Sequence, residues 1–149
     1  MTYSERLHIP WWWLLVAVAF AASMAVAVTA YVKPSVGIAF SVLLIIGLVL
    51  ALFAYSRTLV SVDARGLAAG RYRVEPEYIA GATALEGEAA RNALGPEADH
   101  RAFLFTRPFL SSLVRVDLAD AHDPHPYWLV STRHPGELAS AIEKVSRVA

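Results

Sequence analysis

Two apolar runs constrain this chain more than any other feature. No charged residue occurs from Ile9 to Val32 or from Pro34 to Ser56, and only Lys33 stands between the runs. An α-helix rises about 1.5 Å per residue, so each run can cross a hydrocarbon core of about 30 Å. The sequence therefore predicts a transmembrane hairpin within residues 1–56, with spans at about 10–32 and 35–55, and a separate domain over residues 57–149. Composition fits this division. The chain is 56% hydrophobic with a mean hydropathy of +0.45, high for a soluble protein. Glu5, Arg6 and Lys33 are the only charged residues before residue 57, leaving 11 of the 13 basic and 12 of the 13 acidic side chains for the rest.

The ends of the runs carry interfacial residues. Trp11, Trp12 and Trp13 follow Pro10, and Tyr31 and Tyr55 mark other ends of the spans. Amphipathic rings favour the headgroup layer, so these five are expected to act as membrane-interface anchors. Small residues recur four apart at Ala17, Ala21 and Ala25, at Gly37 and Ser41, and at Gly47 and Ala51, a spacing that lets helix backbones approach closely. The turn offers only Lys33, whereas Arg57, Arg65, Arg71 and Arg73 follow the second run. The positive-inside bias therefore predicts a multi-pass cell-membrane protein with both termini in the cytoplasm. Neither run holds an ionisable side chain in its interior, which argues against a proton relay or ion path through the hairpin alone. A cleaved signal peptide ending near Val28-Thr29-Ala30 is the rival reading. The first run is too long for a signal h-region, and Glu5 offsets Arg6 before it.

After Arg57 the apolar period shortens to two. Thr58, Val60 and Val62 alternate with Leu59, Ser61 and Asp63, and Ala64-Arg65-Gly66 reads as a turn. Further strands are predicted around Tyr72–Val74, Tyr78–Thr83, Ala102–Thr106, Leu113–Leu118 and Tyr127–Ser131. A short helix is expected over Glu86–Leu94. A terminal helix begins at Pro135, with Leu138, Ile142 and Val145 as its apolar stripe. This is an α+β pattern: a small antiparallel sheet or barrel with a C-terminal helix across it. The plan resembles the pleckstrin-homology-like domain that follows transmembrane hairpins in many bacterial membrane proteins. A split β-sandwich and a ferredoxin-like sheet share the same element order.

Three stretches carry a more specific resemblance. They are Tyr3-Ser4-Glu5-Arg6-Leu7 leading into Pro10-Trp11-Trp12-Trp13, Gly95-Pro96-Glu97-Ala98-Asp99 with Arg101-Ala102-Phe103, and the run from Asp123 to Arg133. Together they resemble domain-of-unknown-function family 3093, small two-helix membrane proteins of actinobacteria. The resemblance implies a membrane location and brings no activity with it.

The residue types exclude several chemistries. The chain has no cysteine, so disulfides, thiolate metal sites and thiol nucleophiles are ruled out. Its near-neutral charge gives no general basic field, so nucleic acid is not an expected partner. No phosphate loop, paired zinc ligands or nucleophile elbow is present, and no catalytic residue, metal or cofactor is predicted. Asp117, Asp120, His122, Asp123 and His125 form the densest polar cluster, and they read first as turn formers. Ser131, Thr132 and Arg133 lie where the last strand meets the last helix, a place where hydroxyl, guanidinium and amide groups can hold an anion. Arg71, Arg73, Arg101 and Arg107 could form a basic face toward anionic lipid, and Trp128 could line a ligand pocket or partner contact. The expected function is a non-enzymatic membrane protein. Its cytoplasmic domain would act as a protein-interaction or scaffolding module, beside membrane lipids and a membrane-protein partner or a second copy. Binding of an anionic lipid or small ligand is the alternative.

Overall fold

A computed structural model describes residues 3–56, 58–120 and 122–148. They form two compact units: one is residues 8–58, and the other joins the first seven residues to residues 59–149.

The first unit is a pair of helices, α1 (Trp11–Thr29) and α2 (Pro34–Ser56). Both are long and apolar enough to cross a membrane, and neither buries more than a small part of its surface. Their lack of amphipathic character suits lipid on all sides rather than a protein core. Ile9, Pro10, Trp11 and Leu14 line one groove with Val49, Leu52, Phe53 and Ser56, so the start of α1 lies beside the end of α2. The helices pack through small side chains. Gly37 is buried, and a Cβ there would come within 2.5 Å of the Thr29 methyl group. The Thr29 hydroxyl donates to the carbonyl of Ala25 at 2.8 Å, and the Ser41 hydroxyl to that of Gly37 at 2.7 Å, so neither polar group faces hydrocarbon unpaired.

The second unit is α+β. Its first strand, β1 (Tyr3–Arg6), comes from before the hairpin and pairs antiparallel with β2 (Leu59–Asp63), Tyr3 opposite Val62 and Arg6 opposite Leu59. The boundary expected at residue 56 therefore shifts. The helices are inserted into the connection between two neighbouring strands, and residues 3–7 belong to the second unit. Alternation explains the pairing: Tyr3 and Glu5 turn inward while Ser4 and Arg6 are exposed, and Leu7 is completely buried. The sheet continues through β3 (Gly66–Ala69) and β4 (Tyr72–Val74), in the order β1-β2-β3-β4. The predicted turn at Ala64-Arg65 holds, but β3 is a strand that its small residues did not reveal.

A 3-10 turn (Pro76–Tyr78) leads to the second sheet, made of β5 (Ile79–Leu85), β6 (Phe103–Phe105), β7 (Leu113–Leu118) and β8 (Tyr127–Ser131) in the order β5-β7-β8-β6. All pairs are antiparallel except β6 with β8, which is parallel. The long connection that this parallel pair requires runs through β7, and helix α3 (Gly87–Leu94) lies earlier, between β5 and β6. Both sheets are open, so no closed barrel forms among the described residues. Helix α4 (Pro135–Ser146) packs against strands of both sheets.

Period-two alternation builds two cores. Val114, Val116, Trp128 and Val130 join Val60, Val62, Leu67, Leu7, Leu138 and Ile142 in the main core between the sheets and α4. Their neighbours Leu113, Tyr127 and Leu129 face the other way and pack with Ala90 of α3. This double coverage explains why β8 is buried along its whole length.

Candidate functional site

The most connected polar site lies where β8 passes into α4. Thr132 is fully buried there. Its hydroxyl donates to Glu5 Oε2 at 2.6 Å and accepts the His134 N–H at 3.0 Å, satisfying a backbone donor at the start of α4. The Tyr3 hydroxyl donates to the same Glu5 oxygen at 2.7 Å and lies 3.1 Å from Thr132 Oγ1. The Arg133 N–H donates to Glu5 Oε1 at 3.1 Å, and the Arg133 guanidinium stands 3.5 Å from that oxygen. Arg133 Nη1 also donates to the Arg6 carbonyl at 3.4 Å. The Thr132 and Arg133 groups expected to hold an anion therefore hold one from the chain itself, delivered by β1. Ser131 is buried as well, and its hydroxyl accepts the Arg107 N–H at 2.9 Å.

The electrostatics follow from these contacts. Burial works against the Glu5 carboxylate. Hydrogen bonds from Thr132, Tyr3 and the Arg133 N–H, together with the Arg133 charge, outweigh it and hold the carboxyl below its ordinary value. Burial pushes the Tyr3 phenol well above its usual range, reinforced by Glu5 and Glu137 and opposed by the Thr132 hydrogen bond. The Glu5 shift predicts a pH dependence. The unfolded chain takes up this proton first on acidification, so the carboxylate's contribution is complete above about pH 4.3, the ordinary glutamate value, and is lost as the pH falls through the folded value. Urea midpoints measured in micelles between pH 7 and pH 3 should fall further for the wild type than for Glu5→Gln, and the two curves should converge at the acid end. Parallel curves would contradict the depressed value.

The structure places the four predicted arginines apart. Gly70 N–H donates to the Leu59 carbonyl at 2.8 Å, so Arg71 sits at the end of the sheet where Arg6 faces Leu59. Arg73 of β4 binds Asp63 at 3.0 Å, near the β2–β3 turn. Arg101 binds Asp99 at 3.1 Å, beside Tyr127 at the opposite end of β8. Arg107 lies 4.9 Å over the Phe105 ring. The expected single basic face of Arg71, Arg73, Arg101 and Arg107 is thus divided, and Arg73 and Arg101 each face a carboxylate of the chain.

Trp128, expected at a ligand or partner contact, is 5% exposed and packs on Phe103 with ring centroids 4.4 Å apart. Its place between the sheets makes it a core residue. The Asp/His segment forms local turns, in which Asp120 accepts the His122 N–H and Asp123 the His125 N–H, each at 2.8 Å. Among the described residues no three His, Asp or Glu side chains gather as a metal site. In the hairpin Trp11, Trp12 and Tyr31 are exposed. Adjoining the polar network at Tyr3, a groove of about 370 Å³ runs beside α4, lined also by Gly136, Glu137, Ser140, Ala141 and Lys144. Tyr3 and Glu5 are the residues of this region that sequence reasoning passed over. The inward–outward alternation of Tyr3-Ser4-Glu5-Arg6 was their only signal, too short to stand out beside the apolar run.

The family of proteins of unknown function DUF3093 matches residues 2–142 of the chain. No curated protein and no solved structure matches it.

Proposed function

The chain belongs to this family of unknown function, and from that premise we propose that it is a non-enzymatic integral membrane protein whose α+β unit is a protein-interaction module of a membrane or cell-envelope complex. The insertion of the apolar hairpin between β1 and β2 is the observation that carries this reading. Pairing of these strands requires the N-terminus and the α+β unit to share one side of the bilayer. The positive-inside bias of the arginines after α2 supports the cytoplasm as that side. The hairpin ends are joined to the sheet by residues 8–10 and 57–58 alone, so the unit is confined to the membrane surface. Confinement of this kind raises its effective concentration near a partner held in the same membrane. The groove beside α4, walled by Tyr3 of the edge strand β1, is the surface offered to a peptide segment of that partner.

A photo-crosslinking residue at Ser140, on the groove, tests this reading in cells, with one at Arg115, on the second sheet, as control. One recurrent membrane protein should be captured from Ser140 and not from Arg115. Its capture should fall at least tenfold when Ala141→Arg fills the groove. No repeatable protein from Ser140, or equal capture from both positions, would sink the proposal.

A further inference from the structure

We propose that the end of the first sheet from which both hairpin connectors leave is a docking surface for anionic phospholipid headgroups, read by Arg6 and Arg71 beside Arg133, whose guanidinium Glu5 already faces. Register brings these residues together. Arg6 faces Leu59 across β1–β2, and the Leu59 carbonyl accepts the N–H of Gly70, whose neighbour is Arg71. Strands lie about 4.8 Å apart, so Arg6 and Arg71 are about two strand spacings from each other. Arg133 joins the row through its bond to the Arg6 carbonyl. All three are exposed. Arg6 and Arg71 pair with no carboxylate among the described residues; Arg71 donates to the Tyr72 hydroxyl at 2.8 Å and lies over that ring. Glu5 is turned inward, its side chain only 10% exposed. Glu137 acts on Tyr3, at the other end of β1.

The occupant follows from continuity of the chain. From Leu7 the polypeptide reaches α1 in three residues, a span of about 10 Å when extended. The guanidinium row therefore belongs to the part of the unit tethered to the headgroup layer, and phosphate oxygens match a guanidinium in both charge and geometry. The hairpin already attaches the protein, so the arginine row would orient the unit and not recruit it. The inference rests on the reading of α1 and α2 as membrane spans.

The test is hydrogen exchange of the full chain in nanodiscs of phosphatidylcholine alone and with about 30% of the anionic lipid phosphatidylglycerol. Amides of residues 59 and 70–72 should exchange more slowly with the anionic lipid, by about fivefold for each engaged arginine. The difference should vanish in the double variant Arg6→Gln/Arg71→Gln and persist in Arg73→Gln/Arg101→Gln, whose arginines lie elsewhere. Equal exchange in both discs, or a loss of protection in both double variants alike, would overturn the headgroup surface while leaving the membrane spans standing. Failure of the chain to co-elute with discs would overturn the spans and the docking surface together.

Discussion

Removal of the first seven residues is expected to abolish cooperative folding of the α+β unit, although every other strand and helices α3 and α4 remain encoded. The deletion removes the edge strand β1, the fully buried Leu7 and the carboxylate that binds Thr132 and Arg133. Leu7→Ala alone should cost about 2–5 kcal/mol, the range for truncating a buried leucine. Loss of Glu5 adds the penalty of leaving a buried hydroxyl and a backbone N–H without their charged acceptor, about 1–3 kcal/mol for each buried group left unsatisfied. Together these approach the whole stability of a small domain, about 5–15 kcal/mol. Urea unfolding in micelles, followed by hydrogen exchange at α4 and β8, checks the result. A truncated chain with wild-type protection would show that β1 is dispensable. The same contacts bear on the signal-peptide reading, because cleavage after Ala30 would remove the edge strand β1 and the buried Leu7. Intact mass of the protein from membranes decides whether β1 is retained.

Gly66→Ala should be the most damaging of the small substitutions. Gly66 opens β3 with φ of +103°, outside the backbone range natural to L-residues, and an added Cβ would run into the Val74 carbonyl of the neighbouring strand. The conformation alone costs about 1–3 kcal/mol, and displacement of β4 adds to it because Leu67 pairs with Val74 in the register that the turn sets. The rigid backbone on the far side leaves no side chain to move aside. A fall of several degrees in the midpoint of thermal unfolding is expected, larger than for Gly81→Ala, where a Cβ meets nothing within 4 Å. Equal effects at the two glycines would remove the steric argument.

Much of the architecture was legible in the chain. Two uncharged runs sufficed for α1 and α2, because no other sequence property is needed to make a helix long and apolar enough for a membrane. Alternation at Leu113–Leu118 placed β7, and Pro135 with the Leu138, Ile142 and Val145 stripe placed α4, because each pattern reflects burial on one face of a regular element. The family was legible too, in the stretches around Trp11, Gly95 and Asp123. Sheet membership was not. Strand pairing joins residues distant in sequence, so the partnership of Tyr3–Arg6 with Leu59–Asp63 across the whole hairpin has no local signature, nor has the parallel pairing of Phe103–Phe105 with β8. The candidate site divides in the same way. The hydroxyls and guanidinium of Ser131, Thr132 and Arg133 were visible as groups able to hold an anion, since that follows from residue type. That Glu5 is the carboxylate held by Thr132 and Arg133, that Arg73 and Arg101 are taken up by Asp63 and Asp99, and that Trp128 lies in the core were decided by tertiary structure alone. Residue chemistry specifies what a group can bind; only the packing of distant strands decides which partner reaches it first.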